Sequence, residues 1–365
     1  MKKRVKHISL LLILFISIGF AVLSRQLNIN GVISMEKSEW NIYFDNIQIA
    51  PESVTPTAIS ISNNCQVDYS VYLKEPGDFF EFTIEGINDG NINAMINSIS
   101  MSSLTNEQKK VFDYKVSYIS GNEIKKYDIL PRYSKRIYKI KLEYKQDIEK
   151  DDLLESEQEV NLSFELEYIK DNSEVIDDRT SVEMNYYLYT DEITGGNENV
   201  KKILRHNVEP DSNQSTISIN SDFYEEEPEY PISMWYDSAN ETLYYYTAAD
   251  IIYLEPERTF NNYSNLEEID LKTIYFKGRQ LIEIFQDDKK LKNIDLRHMD
   301  LQKVLWIDNA FKNCESLNNL LLPAKKMKKL LSADSSFCNC PAFDTIDKTI
   351  FPEELLPYMN QCSEP

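Results

Sequence analysis

Glycine and proline are scarce, at 9 and 13 in 365 residues, which argues against a collagen-like or low-complexity chain. Histidine is scarcer still: His7, His206 and His298 are the three in the chain, and none lies in an HExxH sequence. A zinc peptidase of the helical two-histidine type therefore has no ligands here. No GxSxG, Walker-type or GxGxxG sequence occurs. A pairing of His298 with Cys314 as base and nucleophile is less natural than a polar turn residue near a packed thiol. The sequence thus asks for no catalysis, no metal and no cofactor. Positive charge is outnumbered, with 39 Lys and Arg against 60 Asp and Glu and a net charge of −21. That balance disfavours nucleic acid and anionic lipid as electrostatic partners. The five cysteines, Cys65, Cys314, Cys338, Cys340 and Cys362, are an odd set and too few for a dense disulfide framework.

What is present begins with Lys2, Lys3, Arg4 and Lys6, followed by an uncharged run from Ile8 to Leu23, the pattern of an export signal. As a helix the run spans ~24 Å, short of the ~30 Å bilayer core. A signal peptide over residues 1–24, cut after Ser24, is expected, with an uncleaved membrane anchor as the alternative. Either way the flanking charges leave the remainder outside the cytoplasm, extracellular or on the cell surface. No cysteine precedes Cys65, which excludes a lipid-modified start, and FPEELLPYMNQCSEP at the C-terminal end lacks an LPxTG sorting sequence and a hydrophobic tail.

Over residues 25–170, WNIYFDNIQI, TAISIS, QVDYSVYL, DFFEFTIEGIND, YKVSYI, SKRIYKIKLEY and EVNLSFELEYI each alternate or run apolar over a strand's length. Strands of this kind between polar turns predict an antiparallel sandwich. TNEQKKVFDY, with Thr105 as N-cap, and DDLLESEQE read as brief helical insertions. From the signal through PGDFFEFTIEGINDG the region resembles the TasA/camelysin-like exported sandwich domains. Some members form extracellular fibres and some are classed as metallopeptidases, so the resemblance raises fibre formation and self-association. The missing histidines argue against the peptidase label.

Residues 171–229 read as a linker with partial structure, carrying a Gly195-Gly196 turn and the acidic run Asp222, Glu225, Glu226, Glu227 and Glu229. Such runs are usually solvated, and this one lacks calcium-loop spacing.

Residues 230–348 carry the most informative pattern. Phe260, Phe285, Phe311 and Phe337 fall 25, 26 and 26 residues apart. Leu266, Leu291, Leu317 and Phe343 follow at plus six; Ile269, Ile294, Leu320 and Ile346 follow at plus nine. A fixed period in the twenties predicts stacked units that bury their apolar faces only against one another. Alternation around plus nine gives each unit one short strand. Leu281, Ile307 and Ala333, four residues before the Phe, suit a helical turn opposite it. Cys314 and Cys340 share a repeat position, where they are either a disulfide or two packed thiols. The pattern resembles the BspA-type leucine-rich-repeat surface proteins of bacteria, whose repeat runs from Phe through Cys to a Leu-x-x-Ile/Leu-Asp-Leu strand. The first two units depart from it with Tyr263 and Asp288 at the Cys position.

The expected fold is thus mainly β with some α, an N-terminal antiparallel β-sandwich plus a C-terminal leucine-rich-repeat-like solenoid, with residues 349–365 as cap or tail. The resemblance implies a binding or adhesion protein without catalysis, whose partners are proteins or glycans on host or bacterial surfaces. Outward strand positions form the candidate face: Glu268, Asp270, Asn293, Asp295, Asn319 and Asp347. Stacking Asp270 over Asp295 sets like charges side by side, a cost that a cationic group relieves. Trp235, Tyr236, Tyr244, Tyr245, Tyr246 and Tyr253 cap the array or contact a ligand, with Tyr236 the candidate for contact. Trp306 is expected in the core, and Lys325, Lys326, Lys328 and Lys329 form a basic turn.

Overall fold

A computed structural model describes residues 38–148, 159–171, 179–188, 190–222, 224 and 226–362. The expected signal over residues 1–24 lies outside them, as does the expected helix at DDLLESEQE apart from Glu159. The described fold is mainly β, built as several sheets.

Nine strands build the first part: β1 (Ile42–Ile49), β2 (Ala58–Ser62), β3 (Gln66–Tyr72), β4 (Phe79–Asn88), β5 (Ala94–Met101), β6 (Phe112–Tyr118), β7 (Ile129–Leu130), β8 (Ser134–Tyr144) and β9 (Glu159–Lys170). They pair antiparallel into two sheets, β1-β4-β8-β6 and β2-β3-β9-β5-β7. Alternation decides which side chains meet between them. Val160, Leu162, Phe164 and Leu166 of β9 and Val67, Tyr69 and Val71 of β3 are buried with Phe80, Phe82 and Ile84 of β4. Their neighbours on β9 face water, as a half-buried strand requires. Before β6, helix α1 (Asn106–Val111) starts at Thr105 with a full capping box, Thr105 and Gln108 each bonding the other's backbone N–H.

Strands β4 and β8 break the alternation. Glu85 and Thr83 on the outer face of β4, and Lys135 on that of β8, are buried as well. Something covers that face, and it is the rest of the chain: residues 39–365 form one compact unit.

The second part contains β10 (Ser181–Met184), β11 (Lys202–Arg205), β12 (Ile217–Ser218), β13 (Ser233–Asp237), β14 (Thr242–Tyr246), β15 (Ile251–Leu254), β16 (Glu268–Ile269), β17 (Ile274–Phe276), β18 (Asn293–Asp295) and β19 (Asn319–Leu321). β10 pairs parallel with β15, and β11 lies parallel between β14 and β16. Residues 171–229, expected as a linker, therefore supply three strands, one of them internal to its sheet. The partial structure expected there extends to three strands of two to four residues each, too short for periodicity to mark their bounds.

Beyond residue 258 the period of the sequence is visible in space. The rings of Phe260, Phe285, Phe311 and Phe337 stack with centroids 5.6, 5.7 and 5.2 Å apart. β18 pairs parallel with β19 at a 26-residue offset, Ile294 opposite Leu320. Two residues per unit hold a left-handed backbone, one before and one after the Phe: Arg258 and Asn262, Glu283 and Asp287, Asn309 and Asn313, Ser335 and Asn339. Leu281, Ile307 and Ala333 are buried, but no helix forms there; isolated parallel bridges link Gln280, Trp306 and Ser332 instead. Trp306 is 37% exposed on this edge rather than in the core.

The fourth unit has no strand at Thr345–Asp347. Short 3-10 turns at Pro341–Asp344 and Lys348–Ile350 flank it. The chain then docks helix α3 (Leu356–Met359; α2 is Asp191–Thr194) on the last unit, with Phe337 N–H donating to Met359 O at 2.7 Å. A disulfide joins Cys338 to Cys362. Cys314 and Cys340 remain buried thiols. The Sγ of Cys314 bonds Phe285 O at 3.0 Å, and burial pushes the Cys340 thiol up to about 11.

Candidate functional site: a polar cleft between the two parts

The outer face of β1, β4 and β8 meets β11, β14 and the end of β16 around a cleft of about 670 Å³. Into it the first part contributes Tyr43, Asp45, Glu85 and Lys135; the second contributes His206, Tyr244, Glu268, Asp270, Lys272 and Asp295. Three of the expected binding residues, Glu268, Asp270 and Asp295, are thus brought together.

An ion-pair network forms the cleft's floor. Lys135 Nζ sits 2.9 Å from Glu85 Oε1 and 2.7 Å from Asp270 Oδ2, with Lys135 and Glu85 buried and the Asp270 side chain 21% exposed. Burial pulls the Lys135 ammonium down, but Asp270 and then Glu85 outweigh it and the net shift is upward. Burial pushes the Asp270 carboxyl up, and Lys135, with the Lys272 backbone N–H and Arg205, more than reverses it, so the net shift is downward. Glu85 Oε1 also accepts from Asn46 Nδ2 at 2.7 Å and Asn207 Nδ2 at 2.6 Å. At one end Lys272 Nζ lies 2.6 Å from Asp89 Oδ1, while Tyr43 OH donates to Asp89 Oδ2 at 2.6 Å. Asp295 is held by Arg297, whose guanidinium lies 4.1 Å from the Tyr133 ring. The like charges of Asp270 and Asp295 therefore each have a cation from within the chain.

One wall is aromatic. The His206 ring makes edge contacts with Trp235 and Tyr244, which stack on each other at 5.7 Å. His206 Nδ1–H donates to Val208 O at 2.8 Å, a carbonyl being only an acceptor. Burial lowers the His206 pKa.

The remaining candidates sit elsewhere. Asn293 and Asn319 are exposed and adjacent on β18 and β19, Asn319 Nδ2 donating to Asn293 Oδ1 at 3.3 Å. Asp347 accepts from the Thr349 N–H at 2.9 Å and caps a turn. Tyr236 packs against the core of the second part and donates to Asn199 O at 2.7 Å. Of the residues expected in the repeat core, Phe260, Leu266, Phe285, Leu291, Ile294, Phe311, Leu317, Leu320 and Phe337 are buried and Ile269 is partly buried. His298 and Cys314 do not pair: His298 Nε2–H donates to Ile274 O at 2.9 Å. Among the described residues no group of three or more His, Cys, Asp or Glu is placed to hold a metal ion.

Sequence reasoning missed Tyr43, Asp45, Glu85, Lys135 and Lys272. The signal lay in charges interrupting apolar strands, Glu85 in FEFTIEGIN and Lys135 in SKRIYKI. An outward charge on one strand reads as solvated until its partner, here 135 residues away in sequence, is known.

No family model, curated protein or solved structure matches this chain.

Proposed function

We propose that the chain is an exported surface protein whose repeats coil as a BspA-like solenoid and whose sandwich is of TasA/camelysin type. In this reading it binds a protein or glycan on a host or bacterial surface and carries out no reaction. The observation that carries the reading is the cleft, where strand-face carboxylates and sandwich side chains converge beside an aromatic wall. Convergent polar groups with aromatic surface in a concavity are what a recognition site needs. The Cys338–Cys362 disulfide favours an oxidising compartment and hence export. The stacked phenylalanines and 26-residue parallel offset favour a coil of repeats.

Binding by a soluble form of residues 25–365 to epithelial cells, matrix proteins and immobilised glycans tests the reading. The comparison is a Asp45→Lys, Glu268→Lys double variant, both positions being exposed at the rim. Saturable binding that the variant loses is expected; equal binding by both, or none by either, removes the assignment. A second reading, assembly into fibres, is favoured by β2, an edge strand of sequence AISIS without charge or proline and with Ile61 exposed. Filaments in negative-stain images of the same protein would support it.

A further inference from the structure

The outer face of β4 extends beyond the cleft described above. Phe80, Phe82 and Ile84 enter the sandwich core, so Glu81, Thr83 and Glu85 point the other way. Glu85 is engaged by Lys135, but Thr83 lines a separate cleft of about 430 Å³, to which residues 207–212 also contribute. Its Oγ1 is buried and has no hydrogen-bond partner. Beside it is Asn207, 1% exposed. Asn207 Nδ2 donates to Glu85 Oε1, and because a carboxylate only accepts, the amide's orientation is fixed. Asn207 Oδ1 is therefore the end of the amide not engaged by Glu85; it too is buried without a partner, on a residue that lines the second cleft. Buried polar atoms are seldom left unpaired, and this pair presents an acceptor and a hydroxyl that call for a donor.

The walls give that donor a charge. Glu52, Glu81, Glu209 and Asp211 line the cleft against Lys139 and Lys141, and Lys141 is paired with Glu143 at 2.8 Å. Phe79 and Tyr246 supply aromatic surface. Burial, then Glu209, pushes the Tyr246 hydroxyl up to about 12, so it stays neutral. We propose that this cleft binds a primary ammonium group on an aliphatic stem of about the length of a lysine side chain, with Thr83 and Asn207 receiving the head and Phe79 and Tyr246 flanking the stem. The site is separate from the cleft of the proposed function and does not depend on that reading.

Calorimetric titration of residues 25–365 with 1,5-diaminopentane, beside uncharged 1,5-pentanediol, tests it. The diamine should saturate one site and the diol bind at least about tenfold more weakly, equivalent to about 1.4 kcal/mol. Thr83→Val, which keeps the side chain's shape, and the pair Glu81→Gln, Glu209→Gln should each weaken the diamine several-fold without lowering the melting temperature. The peptide acetyl-Gly-Lys-Gly-amide separates the sources: tighter binding than the diamine identifies a basic protein partner, weaker binding a free diamine, and both retain the ammonium chemistry. Failure to saturate, equal binding of the diol, or both variants titrating like the parent protein would overturn the proposal.

Discussion

Asp288 is the residue least at ease in this molecule. It occupies a buried column with Tyr263, Cys314 and Cys340, three residues after each stacked Phe. Its Oδ1 accepts from the Tyr263 N–H at 2.9 Å, while its Oδ2 is buried without a partner. Burial, with Asp287 adding to it against that hydrogen bond, raises the carboxyl well above its ordinary value of 3.8, which favours the protonated form in the folded protein. The sign of the linkage follows: a carboxyl raised on folding contributes stability that is full below its unfolded value and is lost as pH rises through the folded one. Asp288→Asn keeps the shape and the acceptor and removes the titration. Urea unfolding should find the variant more stable than the parent at pH 7, by on the order of 1–3 kcal/mol, with the gap narrowing toward pH 4. A gap that does not change with pH would mean that Asp288 does not titrate this way.

Among the elements, the repeating unit was legible in part. Its phenylalanines announce themselves by period, and their rings stack as the period implies. The left-handed position after each Phe also left a trace, because Asn262, Asp287, Asn313 and Asn339 are the residue types that tolerate that backbone. The position before the Phe left none: Arg258, Glu283, Asn309 and Ser335 share no chemistry, and the turn imposes their conformation. The strands of the first part were legible from alternation, whereas the roles of Glu85 and Lys135 were not, since pairing across the molecule has no period. The column after the Phe is also a ladder, with Asn313 Nδ2 donating to Asp287 Oδ1 at 2.7 Å and Asn339 Nδ2 to Asn313 Oδ1 at 2.9 Å. Two contributions can be separated there. Asn313→Gly loses the ladder and keeps the backbone, while Asn313→Ala loses the ladder and adds about 1–2 kcal/mol of left-handed strain. The urea midpoints should therefore fall in the order parent, Gly, Ala; equal midpoints for Gly and Ala would show that the turn relaxes out of its left-handed form.

At the scale of the whole molecule, the polar interface decides whether the two parts behave as one. Lys135, Glu85 and Asp270 are joined across it, and Arg136 reaches Asp250 at 3.5 Å nearby, both buried. A buried ion pair adds little over an apolar contact of the same shape, but removing one partner strands the other and costs about 3–5 kcal/mol. Lys135→Met leaves two carboxylates facing each other without their cation. The parent is expected to melt in a single calorimetric transition and this variant in two, the first part and the second melting separately. Adding Glu85→Gln and Asp270→Asn removes both stranded charges while leaving an acceptor for Asn46 and Asn207, so the triple variant should return to one transition near the parent's. Acid should act in the same direction as the single variant: Asp270 is lowered on folding, so its contribution is present above the unfolded value of 3.8 and is lost as pH falls through the folded one. A Lys135→Met protein that still melts in one unshifted step would place the cohesion in the apolar contacts and deny the network a part in joining the two.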